Sequence, residues 1–92
     1  MTQATQFPSG ENAVKNMTEL VTEIAYALVD DPSGVSVEAI AEGDSTVIRL
    51  RVAQSDVGKV IGKQGRTARA MRTVLRAIGM KSRKRLVLEI LD

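Results

Sequence analysis

The 92-residue chain contains no cysteine, no histidine and no tryptophan, and has only one tyrosine, one phenylalanine and two prolines. Without cysteine there is no thiolate chemistry and no disulfide. Without histidine the commonest general base and the usual zinc ligands are gone as well. Catalysis would fall to carboxylates, lysine or serine, and no cluster in the sequence sets a base beside a nucleophile. The chain therefore reads as a binding protein rather than an enzyme, with no catalytic residue, no metal site and no cofactor. No apolar run approaches the roughly 20 residues that span a bilayer, so no membrane partner is expected. The opening MTQATQFPSGEN lacks the basic and apolar regions of a secretory signal, which points to the cytoplasm.

What the chain does have is charge, unevenly placed. Residues 1–54 carry three basic side chains against eight acidic ones, whereas residues 55–92 carry ten basic against three acidic. A half-domain that basic is the footprint expected where a polyanion is held, although a merely solvated surface has the same composition.

Ninety-two residues make one small domain. Residues 1–11 are polar and expected to form a flexible tail, with the folded domain over 12–92. From Asn12 to Asp30 the apolar positions Val14, Met17, Val21, Ile24 and Leu28 recur at steps of three and four, predicting an amphipathic helix that Pro32 and Gly34 end. Two alternating runs follow, Val35 to Ile40 and Ile48 to Val52, around Glu42-Gly43-Asp44-Ser45, predicting an antiparallel hairpin with one polar face. Ser55 or Asp56 can cap a short helix running to Gly62. A longer helix runs from Arg66 to Ile78 and is expected to stop at Gly79. Lys81 to Arg85 reads as a basic loop, and Leu86 to Leu91 as a third strand. The order helix, strand, strand, helix, glycine turn, helix, strand predicts an α+β fold, a three-stranded sheet with helices packed on one face.

Of seven glycines, three fall in the stretch GKVIGKQG, residues 58–65. Gly62 can end the short helix at positive φ, and Gly65 lets the backbone approach a ligand without a Cβ in the way. Both precede the N-terminus of the Arg66 helix, where free N–H groups and the helix dipole favour an anion. Lys59, Lys63 and Arg66 add charge nearby. At about 100° per residue the helix divides into three faces. Ala68, Met71, Leu75 and Ile78 are apolar; Arg66, Arg69, Arg72 and Arg76 are basic; Ala70, Thr73, Val74 and Ala77 are small. Three turns of arginine suit a nucleic-acid backbone better than a lone phosphate. A nucleotide-triphosphate loop fails on two counts, because only three residues separate Gly58 from Gly62 and Gln64 follows Lys63 where Ser or Thr is needed. No GxGxxG is present for a dinucleotide. A plain helix-turn-helix capped by glycines remains open.

The stretch VIGKQG resembles the signature of KH domains, in which an apolar pair and a GxxG loop join two helices. With the helix and hairpin placed before that unit, the arrangement is similar to the type II KH order. The longer run DVGKVIGKQGRTARAMRTVLRA resembles the small bacterial single-KH family, the KhpA family, over about residues 13–92. The resemblance implies a single-stranded RNA ligand, homodimers, and pairing with a larger KH-containing partner of the KhpB (Jag) kind. It implies a post-transcriptional regulator or RNA chaperone. By position, Gly62, Lys63, Gln64 and Gly65 would hold the RNA backbone, helped by Lys59, Arg66 and Arg69. Val57, Val60 and Ile61 would form an apolar floor under the bases, although Ile61 could equally be core. With Phe7 in the tail and Tyr26 on the first helix, no aromatic platform is available of the kind an RRM or OB-fold uses. The face Ala70, Thr73, Val74 and Ala77 is the expected dimer interface. A protein–protein module with a degenerate nucleic-acid site, and a single-stranded DNA binder, are the alternatives.

Overall fold

The structure is a computed structural model that describes residues 10–92. Helix α1 spans Gly10–Leu28, strands β1 and β2 span Ser36–Glu42 and Ser45–Arg51, helix α2 spans Val57–Ile61, helix α3 spans Arg66–Ser82 and strand β3 spans Arg85–Leu91. Of the tail expected over residues 1–11, positions 1–9 lie outside the described residues. Gly10 and Glu11 are a correction, since they form the first turn of α1.

The sheet has the order β1-β2-β3. β1 and β2 are antiparallel around a two-residue turn in which Gly43 takes φ +61, the backbone such a tight hairpin needs. β3 runs parallel to β2, which requires the crossover that α2 and α3 supply. Alternation then sorts the side chains. Ile48, Leu50, Leu86 and Leu88 face the helices and bury completely or nearly so, against Val21 and Ala25 of α1, Val60 of α2 and Met71 and Leu75 of α3. The other face carries the row Glu38, Arg49, Glu89, in which Arg49 Nε donates to Glu89 at 2.6 Å. The helices thus cover one face, as the sequence predicts.

Two local expectations need correction. Helix α3 does not stop at Gly79 but continues to Ser82, where Arg83 takes the left-handed conformation (φ 56, ψ 42) and closes the helix. Gly79 is buried because a Cβ there would strike the carbonyl of Lys84 and sit 3.4 Å from Leu86. Glycine is needed for close packing of α3 on β3 rather than for its φ. The basic loop shortens accordingly, with Lys81 and Ser82 helical and Arg85 already in β3.

Asp56 does not cap α2 with its side chain. Its carboxylate is wholly buried and instead accepts hydrogen bonds from the backbone N–H of Asp30 (3.1 Å) and Asp31 (3.0 Å), just past the end of α1. These two amides have no carbonyl partner in a helix that has ended, so an acceptor there satisfies groups that burial would otherwise orphan. Asp31 in turn accepts from Ser33 N–H at 3.1 Å, fixing the turn Pro32–Gly34 that leads into β1.

Candidate nucleic-acid interface

The segment between α2 and α3 is a tight turn with left-handed backbone at most of its positions. Gly62 has φ 81 and ψ 169, Gln64 has φ 57 and ψ 26, and Gly65 has φ 75 and ψ 15. The turn closes through Gly65 N–H donating to the Gly62 carbonyl at 3.0 Å and Arg66 N–H donating to the Lys63 carbonyl. The two framing glycines serve different ends. A Cβ on Gly62 would lie 2.9 Å from both the Cβ and the backbone nitrogen of Thr67, so this glycine is demanded by the first turn of α3. At Gly65 a Cβ would meet only Arg69 Nη2, at 3.9 Å, so the space beside that backbone is open to a ligand.

Gln64 is the non-glycine residue of the turn at positive φ, a conformation that costs roughly 1–2 kcal/mol. Two arginines of α3 hold it there. Arg69 Nη2 donates to the Gln64 backbone carbonyl and Arg66 Nη2 to its side-chain oxygen, each at 3.2 Å. The residues that bring charge to the turn therefore also brace it.

The expected site residues separate into three groups. Ile61, Gly62, Lys63, Gln64, Gly65, Arg66 and Arg69 come together on the surface at the start of α3, with Lys63, Gln64, Arg66 and Arg69 exposed and Ile61 36% exposed. Val60 is a correction. It is 0% exposed and packed in the core, so it cannot serve as floor; the apolar residue facing outward is Ile61. Lys59 is the third case. Its ammonium lies 3.3 Å from Asp30 and 3.5 Å from Asp56, and these partners raise its pKa, the hydrogen bond to Asp30 most of all. It is committed to two carboxylates on the α1 side.

Between α3 and β3 a groove of about 420 Å³ starts at the turn, lined by Ile61, Gly65, Ala68, Arg69, Arg72 and Ile90. One wall is apolar and the other cationic, a form suited to bases on one side and phosphates on the other. Arg66, Arg69, Arg72 and Arg76 are all exposed, and among the described residues none is in an ion pair. Like charges three and four residues apart each cost a few tenths of a kcal/mol on a helix, a cost that an anion in the groove would relieve. Arg72, on the basic face but not among the expected site residues, reaches the groove wall through the same helical spacing.

The small face of α3 is exposed. Ala70, Thr73, Val74 and Ala77 all reach solvent, Val74 at 43%. Beside them a shallow apolar groove of about 150 Å³ separates α1 from α3, with Leu20, Ile24, Ala70 and Val74 among its lining. Among the described residues, no helix is long and apolar enough to cross a membrane.

Residues 18–90 match the family described as KhpA/KhpB, KH domain. The chain is 52% identical over 75 residues to a protein of Caldanaerobacter subterraneus subsp. tengcongensis named RNA-binding protein KhpA, covering 82% of this chain and 100% of that one. A protein of the same name from Aquifex aeolicus is 52% identical over 81 residues, covering 88% and 99%. One from Bacillus subtilis is 42% identical over 78 residues, covering 85% and 96%.

Proposed function

The chain belongs to the KhpA/KhpB family of KH domains, and from that premise we propose that it binds single-stranded RNA in the groove that opens at the Gly62–Gly65 turn. The observation that carries this is the turn itself: an exposed Lys63-Gln64 pair between two glycines at positive φ, held by Arg66 and Arg69 at the N-terminus of a helix whose exposed arginines carry no ion pair among the described residues. A phosphate at Gly65 meets backbone without a side chain in the way, the helix dipole of α3, and the charges of Lys63, Arg66 and Arg69. The next bases lie against Ile61 and Ile90. Backbone contacts of this kind hold about four nucleotides and carry little base information.

The protein acts as a homodimer through the exposed face of α3, where Ala70, Thr73, Val74 and Ala77 and the apolar groove beside them are covered by the same face of a second copy. The same face would accept a larger KH-containing partner of the KhpB kind. Bound to RNA in this form, the protein serves as a post-transcriptional regulator or RNA chaperone in the cytoplasm. Affinity set by phosphates falls with salt by about 0.7 logarithmic units per contact for a single strand. Titrating a fluorescent oligouridylate at several salt concentrations, with a matched DNA strand as competitor, tests the reading. A steep salt slope with weaker competition by DNA supports it; no salt response would favour a protein–protein module, and equal competition a ligand that need not be RNA.

A further inference from the structure

β1 is a free edge of the sheet, two strands away from the β3 residue Ile90 that lines the groove at the turn. Edge strands are ordinarily blunted by proline, lysine, a bulge, short length or a charge pointing inward. β1 has none of these. Its seven residues include no proline and no lysine, its register with β2 runs without a break from Ser36 to Glu42, and the side chains on its helix side are Val37, Ala39 and Ala41. Ala39 and Ala41 are exposed, so the helices leave that half of the edge uncovered.

On the other face of the sheet three rows of side chains end at this edge. Ile40 continues Val47 and Val87 as an apolar row, with Val87 42% exposed. Glu38 continues Arg49 and Glu89, and Glu42 continues Ser45 and Arg85. Arg49 is paired with Glu89, and neither Glu38 nor Glu42 is in an ion pair among the described residues. The edge thus presents carboxylate, apolar group and carboxylate at every second residue, beside the open backbone groups of an edge strand. This pattern rejects a second copy of the chain. Antiparallel pairing of two β1 strands about Ile40 sets Glu38 opposite Glu42 twice, and like charges directly opposite destabilise a ladder. Pairing with β3 of another copy, Val87 against Ile40, sets Glu89 opposite one of the two glutamates.

We infer that β1 is a docking edge for an extended segment of another protein, one that carries lysine or arginine two residues to either side of an apolar residue and adds to the sheet as a fourth strand. Its backbone completes the open hydrogen bonds of β1, its cations lie opposite Glu38 and Glu42, and its apolar residue lengthens the row that ends at Ile40. The intervening side chains fall over Ala39 and Ala41, where the sheet is uncovered. In strand addition of this kind the main chain supplies affinity and alternate side chains supply specificity. The charge arrangement selects the partner: the row Glu38, Arg49, Glu89 already alternates in sign, and a cation beyond Glu38 continues it. The edge shares no residue with the groove at the turn, so the inference stands independently of the RNA-binding reading.

The probe is a fluorescein-labelled heptapeptide, Thr-Lys-Thr-Val-Thr-Lys-Thr, whose pattern reads the same in either strand direction. It is titrated against the full chain by fluorescence anisotropy, with backbone amide NMR to locate the contact. Two further peptides serve as comparisons: one with glutamate for both lysines, and one of identical composition, Thr-Thr-Lys-Val-Lys-Thr-Thr, in which the cations stand on the opposite face from the valine. Each cross-strand charge pair is worth up to about fivefold in affinity. The first peptide should therefore bind the wild type about tenfold or more tighter than either comparison, with amide shifts centred on residues 36–42. Glu38→Lys/Glu42→Lys changes two exposed side chains, so the fold should persist, and its preference should reverse towards the glutamate peptide. Equal binding of the rearranged peptide, undiminished affinity of the variant for the first peptide, or shifts centred on the face of Val74 would overturn the docking edge. So would the absence of saturable binding up to millimolar peptide. Concentration-dependent shifts confined to β1 without any peptide would assign the edge to a second copy and overturn the inference in that way.

Discussion

Asp56 Oδ1 accepts a hydrogen bond at 3.1 Å from the backbone N–H of Asp30, a residue 26 positions earlier in the chain. This bond and its neighbour from Asp31 tie the end of α1 to the start of α2, and α2 leads directly into the turn. The position of the glycine turn is thus set partly from a buried carboxylate outside the turn itself, at the other end of α2.

The Asp56 carboxyl is held below the ordinary aspartate range by the N–H of Asp30 first, and by that of Asp31 and the Lys59 ammonium, against the opposing effect of burial. Its folded pKa lies below its unfolded value of about 3.9, so the stability it contributes is present above that value and is lost as pH falls through the folded pKa. Asp56→Asn should therefore unfold at a lower temperature than the wild type at pH 7. The gap between the two should be constant down to about pH 5 and narrow below about pH 4. Thermal melts across that range check it, and a gap that widens in acid would contradict the assignment.

Lys59 faces Asp30 and Asp56 rather than the groove. Lys59→Met should consequently leave the salt slope of RNA binding unchanged, whereas Lys63→Met should lower it by about 0.7. Equal losses for the two variants would return Lys59 to the set of phosphate ligands.

The glycines of GKVIGKQG differ in what they tolerate. Gly58 is helical, and a Cβ there meets nothing within 4 Å. Gly58→Ala should stabilise the fold by about 0.4–1 kcal/mol through the unfolded chain, with a matching rise in melting temperature. Gly62→Ala combines positive φ with the collision against Thr67 and should cost about 1–3 kcal/mol. Melting curves of the two variants would contradict the turn geometry if Gly62→Ala were neutral.

Val74 tests the dimer. If this face is covered by its own copy as proposed, a carboxylate in its centre desolvates a charge without a partner. Val74→Asp should sediment as a monomer where the wild type sediments at twice the chain mass, and a wild type that is monomeric at high concentration refutes the interface.

The legible parts of this protein in its sequence were those written at short range. Periodicity separated the three faces of α3, and the structure buries Ala68, Met71 and Leu75 and exposes the arginines and the small residues accordingly. The turn between α2 and α3 was legible because glycine spacing and the following helix lie in one stretch of chain. Helix α2 was harder. At five residues it is too short for a period to say which of Val60 and Ile61 points inward; both were expected in the floor, and it is Val60 that turns into the core while Ile61 faces outward. Gly79 looked like a helix end because glycine serves both as a cap and as a point of close packing, and only the position of the Lys84 carbonyl distinguishes them. Asp30 and Asp31, which bind Asp56 and in the case of Asp30 also Lys59, lie on the far side of the hairpin in sequence, where no local pattern reaches.

The most direct test of the account is the affinity of Lys63→Asp/Gln64→Asp for single-stranded RNA. Both side chains are exposed, and aspartate tolerates the left-handed backbone of position 64, so the fold should persist. The account predicts a native circular dichroism spectrum with RNA binding abolished; a natively folded variant that binds RNA as the wild type does would contradict it.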